Sequence, residues 1–170
     1  QTESTDRIIE LVVLDSEKDG LQQVNEILVG RSDLAAVHII THGTEGNFAL
    51  GTDWLGRDDL LANSDKIASW GDALSENADI LLYGCSIAAD GDGRTLTETL
   101  AELTGADVAA SVDMTGHTDL TADWDLEYRE GAIESKVLFT DQNPAGWENV
   151  LASMTVTTTD DVLDGDTSSV

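Results

Sequence analysis

Four short apolar runs rich in β-branched residues, separated by stretches with helical periodicity, constrain this chain more than any other feature. The runs are Ile8–Leu14 (IIELVVL), Ala35–Thr41 (AAVHIIT), Asp79–Tyr83 (DILLY) and Asp107–Ser111 (DVAAS). Each is too short for a stable helix and reads as a buried strand. Between them, Leu21–Val29 carries apolar residues at Leu21, Val24, Ile27 and Leu28 and can end at Gly30. Asp58–Asn77 carries Leu60, Leu61, Ile67, Trp70 and Leu74, and Arg94–Leu103 stops at Gly105. Those spacings are helical. The alternation predicts an α/β fold with a mostly parallel sheet flanked by helices on both faces. Phe48–Leu55 reads as a small hairpin turning at Gly51. Trp124–Tyr128 and Ala132–Phe139 read as a terminal β-hairpin with Glu130-Gly131 in its turn, and Pro144–Leu151 closes the domain with Trp147 packed back onto it. The domain is expected to span residues 1–151. Residues 152–170, rich in Thr, Asp, Val and Ser, are expected to be a linker or the start of a following domain.

Charge narrows the partners. Acidic residues number 34 against 8 basic ones, a net −26, and such a field repels phosphate backbones and anionic lipid surfaces. It favours cations and basic peptide segments. No apolar run approaches the roughly 18 residues of a membrane span, and no signal-peptide pattern is present. The chain opens on Gln1 rather than Met, which suggests a piece of a longer polypeptide. A single cysteine, Cys85, excludes an internal disulfide and a multi-cysteine zinc site.

Chemistry gathers at the carboxyl ends of strands in open parallel sheets. His42 follows AAVHIIT and Cys85 follows DILLY, so adjacent strands would bring them to one edge. Histidine near neutral pH is the base a thiol needs to become a nucleophile. Gly43 leaves a backbone N–H open toward a developing oxyanion, and Gly84 permits a sharp exit for the thiol. Two polar residues at ordinary strand-to-loop turns are the plainer alternative.

A hydrophobic strand ending in His-Gly, followed by one ending in Gly-Cys, resembles the caspase, gingipain, clostripain and separase group of cysteine peptidases. More closely, VHIITHGTEGNFALG, ILLYGCSIAADGDG, TGADVAASVDMTG and DWDLEYREGAIE resemble an uncharacterised caspase-like domain of very large bacterial surface proteins and adhesins. The resemblance covers roughly Ile8–Leu151. It implies a caspase–haemoglobinase fold in which Cys85 is the nucleophile, His42 the general base and acid, and the N–H groups of Gly43 and Cys85 the oxyanion donors. It also implies a secreted or cell-surface location and a peptide substrate, the parent chain included. The first strand expected of such a fold lies before this chain, so the sheet would lack an edge. The segment Ser111–Gly116 stands where related peptidases build the pocket for the residue before the cut. Asp113, with Ser111, would there suit arginine or lysine; capping a turn is the alternative for Asp113. No lysine or arginine follows Lys136, so a basic-specific enzyme could not cut the visible tail. That tail is similar to the opening of a repeat found in β-helical surface proteins.

Other candidates are weaker. His38 lies inside a strand and suits a strand face, while His117 sits in a polar loop. Ala89–Gly93 resembles part of a calcium loop, but Ala101 stands where the closing glutamate would be, and a turn before a helix is the better reading. Neither a Gly-x-Ser-x-Gly motif nor a phosphate-binding glycine loop is present, so no cofactor and no metal are expected. Two functions stay open: a self-processing cysteine endopeptidase, and a catalytically silent anchoring or interaction module of an adhesin. A flavodoxin-type binder of small ligands is disfavoured by the missing phosphate loop.

Overall fold

The computed structural model describes residues 8–137 and residue 151. Helix α1 (Gly20–Leu28) begins at Asp19, whose side chain accepts the Gln22 N–H at 2.9 Å and so satisfies a donor left open by the helix start. Strand β1 (Leu34–Ile40) follows. Next come β2 (Gly43–Thr44), β3 (Asn47–Leu50) and β4 (Asp53–Leu55), a small antiparallel sheet turning at Gly51 as predicted. Then α2 (Arg57–Ala62) and α3 (Ser64–Ala68) lead into β5 (Leu74–Tyr83). Helix α4 (Gly91–Thr104) is capped by Asp90, which accepts the Gly93 N–H at 2.9 Å, and ends on left-handed Gly105. The motif Ala89–Gly93 is therefore the helix entry the sequence favours. Strands β6 (Asp107–Ala110) and β7 (Tyr128–Glu130) complete the main sheet.

That sheet is ordered β1-β5-β6-β7, parallel across β1, β5 and β6 and antiparallel at β7. The predicted α/β class with a mainly parallel sheet holds. Alternation along each strand sends Ile80 and Leu82 to one face and Leu81 and Tyr83 to the other. The first face packs on residues of all four helices, among them Leu28, Leu60, Ile67 and Leu100. The second face is covered by Trp124, Leu126 and Leu151. Helices on both faces were expected. Among the described residues the second layer is instead built from irregular chain beyond β6, because large apolar side chains on loops cover a sheet as well as a helix does.

Three further expectations are corrected. Ile8–Leu14 is not a strand: Ile8, Leu11 and Val13 are 98, 81 and 85% exposed. A β-branched run becomes a strand only where a partner edge receives it, and here only Leu14 reaches the core. Glu10 does pair with Arg31, at 2.8 Å. The helix expected over Asp58–Asn77 ends at Ala68. Asn63 already leaves helical geometry (φ −113°, ψ 26°), and Gly71 lies against the Thr104 carbonyl with no room for a Cβ. Strand β5 consequently starts at Leu74 rather than Asp79. The terminal β-hairpin is absent among the described residues. Tyr128–Glu130 pairs with β6 instead (Val108↔Glu130, Ala110↔Tyr128), because that open edge already offers its backbone groups. Leu138 and Phe139 of that reading, Pro144, Trp147 and residues 152–170 lie outside the described residues.

Candidate active site

The register of β1 and β5 places the two unusual residues side by side. Ile40 pairs with Tyr83, and one step on the Thr41 N–H still donates to the Tyr83 carbonyl at 2.9 Å. Two residues past each strand, His42 and Cys85 stand level at the carboxyl edge of the sheet. The glycines beside them serve close approach. A Cβ on Gly43 would lie 2.7 Å from the Cys85 carbonyl oxygen, and one on Gly84 would lie 2.9 Å from the Thr41 carbonyl oxygen. The two strand-end loops thus touch backbone to backbone. The sharp exit expected of Gly84 belongs to Ser86, which takes the left-handed conformation (φ 58°) and donates its N–H to the Asp113 carbonyl at 2.6 Å.

Cys85 is 4% exposed, and its thiol donates to the Thr115 carbonyl at 3.7 Å. Burial pushes the thiol above its ordinary 9.0, against backbone hydrogen bonding at Thr115 and Leu151, and the charge of Asp113 adds a smaller push. His42 is exposed, and no hydrogen bond joins its ring to Cys85 among the described residues. The resting thiol is therefore protonated and turned toward Thr115. The Gly43 N–H donates to the carbonyl of Leu151 at 3.2 Å, and the Leu151 N–H donates to the Thr115 carbonyl at 2.8 Å. A peptide carbonyl already sits on the donor expected to hold an oxyanion.

Ser111 and Asp113 lie on the loop beside the segment that follows Cys85, with the Ser86 N–H donating to the Asp113 carbonyl and the Ala88 N–H to the Ser111 carbonyl. Ser111 is fully buried, and its hydroxyl donates to the Asp113 carbonyl at 3.1 Å, bracing that loop. The Asp113 side chain is exposed and gathers with Asp123 and Glu127, one carboxylate oxygen of each lying within 4.8 Å of the others. Desolvation first, then Asp123 and Asp125, raise Asp113 above its ordinary 3.8. Desolvation raises Glu127 above 4.5, although its carboxylate accepts the Val112 N–H at 2.8 Å. Such groups bind protons more tightly folded than unfolded, so stability rises as pH falls from neutral through the raised values, until the unfolded values are passed. Thermal midpoints are expected to climb as pH falls from neutral into the range where these carboxylates take up protons, and less so in an Asp113→Asn/Glu127→Gln chain. An equal climb in both chains would remove this cluster as its source.

A second carboxylate group, Asp79, Asp107 and Glu134, lies at the opposite end of the strands. Asp79 is fully buried; one of its oxygens accepts the Ser135 N–H at 2.6 Å and the other has no partner. Both groups offer the oxygen ligands that hard divalent cations take. The sequence carried a signal for the second, since DILLY and DVAAS both open on aspartate and pair in parallel as Asp79↔Asp107. His38 Nδ1 stands 3.2 Å from the Tyr83 hydroxyl, with the rings stacked, and His117 Nδ1 accepts the Asp119 N–H at 3.2 Å. Both are structural contacts. A cavity of about 330 Å³ beside Leu81, Leu126, Arg129 and Ile133 touches neither His42 nor Cys85. No helix among the described residues is long and apolar enough to cross a membrane.

A family model described as a domain of unknown function (DUF4347) matches residues 2–151. No curated protein and no solved structure matches the chain.

Proposed function

We propose that this chain, which belongs to the DUF4347 family, is a caspase-like cysteine endopeptidase domain of a large exported bacterial surface protein and acts on its own parent chain. The level placement of His42 and Cys85 at the ends of adjacent parallel strands carries this reading. In the reaction, Cys85 Sγ attacks a peptide carbonyl carbon while His42 takes the thiol proton and delivers it to the leaving amine. The Gly43 N–H holds the oxyanion, and water then hydrolyses the thioester. Because burial favours the neutral thiol, the thiolate forms only as His42 removes the proton during attack. A tethered substrate also suits a net charge of −26, since it need not be drawn in through the field.

The silent anchoring module is a second reading, favoured by one observation: the thiol is sealed and bonded to Thr115 rather than to His42. Incubating this chain and a longer stretch of its parent, each with and without Cys85→Ala, separates the two. Fragments that appear only with Cys85 support the peptidase; identical fragment patterns in both chains sink it.

A further inference from the structure

Leu151 sits at Cys85 as a substrate residue would. Its carbonyl oxygen accepts from Gly43 and its N–H donates to Thr115, so both peptide groups of this one residue are held, as in strand addition to a cleft. Its side chain is 4% exposed and clusters with Leu81, Tyr83, Cys85, Trp124 and Leu126. The Thr115 carbonyl that receives the Leu151 N–H also receives the Cys85 thiol. Sulfur and Leu151 backbone are thereby fixed to the same atom, with the Leu151 carbonyl on the donor beside His42.

Resting on the peptidase reading, we propose that the bond this domain cuts is its own Leu151–Ala152 peptide bond, with Leu151 held in an apolar pocket. Cys85 Sγ bonds to the Leu151 carbonyl carbon, the bond to the Ala152 nitrogen breaks, and the thiol proton leaves with the new amine by way of His42. Water adds across the thioester, which releases the Leu151 carboxyl group and restores the thiol. The cut divides residues 1–151 from the segment beginning Ala152-Ser153-Met154. An apolar pocket also removes the difficulty that no basic residue follows Lys136. A cut after Leu151 makes no use of the basic specificity expected from Asp113, whose carboxylate gathers with Asp123 and Glu127.

The test is mass spectrometry of the incubated chain, run with Cys85→Ala, Leu151→Met and Leu151→Asp and with or without added calcium chloride. The expected result is a new terminus at Ala152 that requires Cys85. Leu151→Met, which keeps the apolar fill, should slow it less than about 10-fold, and Leu151→Asp more than about 100-fold, a span set by losing the fit of one buried side chain. A Cys85-dependent cut at another bond, or one indifferent to Leu151→Asp, overturns the assignment and leaves the peptidase standing. No Cys85-dependent cut in any condition overturns both. Iodoacetamide labelling gives a readout independent of turnover. Leu151→Asp should label Cys85 at least 10-fold faster than the Leu151 chain while keeping a cooperative melt, and equal labelling rates in the folded chains overturn the seat.

Discussion

Cys85→Ala is expected to abolish self-cleavage, and His42→Ala to slow it about 10²–10⁴-fold, with both chains remaining folded. The asymmetry follows from the proposed roles. Removing Sγ removes the only atom that can form the thioester. Removing the imidazole leaves a thiol that water can still deprotonate, poorly, because burial holds it above 9.0. Neither change should cost much stability. His42 is exposed, so its loss is worth within about 0.5 kcal/mol, and trimming one buried sulfur about 1 kcal/mol. Time courses of fragment appearance, paired with thermal melts, check both. A His42→Ala chain that cleaves at the parent rate would remove the imidazole from the mechanism. Residual cleavage in the His42→Ala chain should also grow with pH more steeply than in the parent, because hydroxide must replace the missing base.

Gly43→Ala is expected to destabilise the fold by about 3 kcal/mol. The added Cβ would meet Ile87 Cγ1 at 2.6 Å, the Cys85 carbonyl oxygen at 2.7 Å and Gly84 C at 2.8 Å. The side-chain atom can move, whereas the two backbone atoms belong to the loop that carries the thiol and shift only by parting the strand ends. Gly91→Ala is the control: nothing lies within 4 Å of its added Cβ, so it should be neutral or stabilise by about 0.4–1 kcal/mol through the unfolded chain. Denaturant midpoints at equal slope measure both. A Gly43→Ala chain as stable as Gly91→Ala would mean that the His42 and Cys85 loops do not pack as described. The same substitution should also slow self-cleavage, since it moves the N–H proposed to hold the oxyanion.

Much of this architecture was legible in the residues, and the losses have particular causes. Strands β1, β5 and β6, helices α1 and α4 and the Gly51 hairpin follow from local period and from Gly and Asp at their ends, signals carried within a few residues. Ile8–Leu14 has the same local signal as β1 and fails as a strand because pairing is a property of two segments, not one. Asp58–Asn77 broke first at Asn63 and then before Gly71, which must lie against Thr104, a residue more than thirty positions away. The expected hairpin dissolved for the reason Ile8–Leu14 did: Tyr128–Glu130 took the edge of β6, and nothing in its own residues names that partner.

At the site the division is sharper. His42 and Cys85 could be chosen from sequence because each ends an apolar run beside a glycine, and the ends of parallel strands collect on one edge. Gly84 was read for the wrong reason, since close approach of two loops leaves the same residue as a sharp exit does. Leu151 had no local signal at all. By itself the sequence determined which residues could do chemistry and on which edge of the sheet they stand, because period and strand polarity are local. Only the tertiary structure decided what fills the site: the Leu151 carbonyl reaches the Gly43 N–H across more than a hundred residues, a contact set by how irregular chain folds over the second face of the sheet.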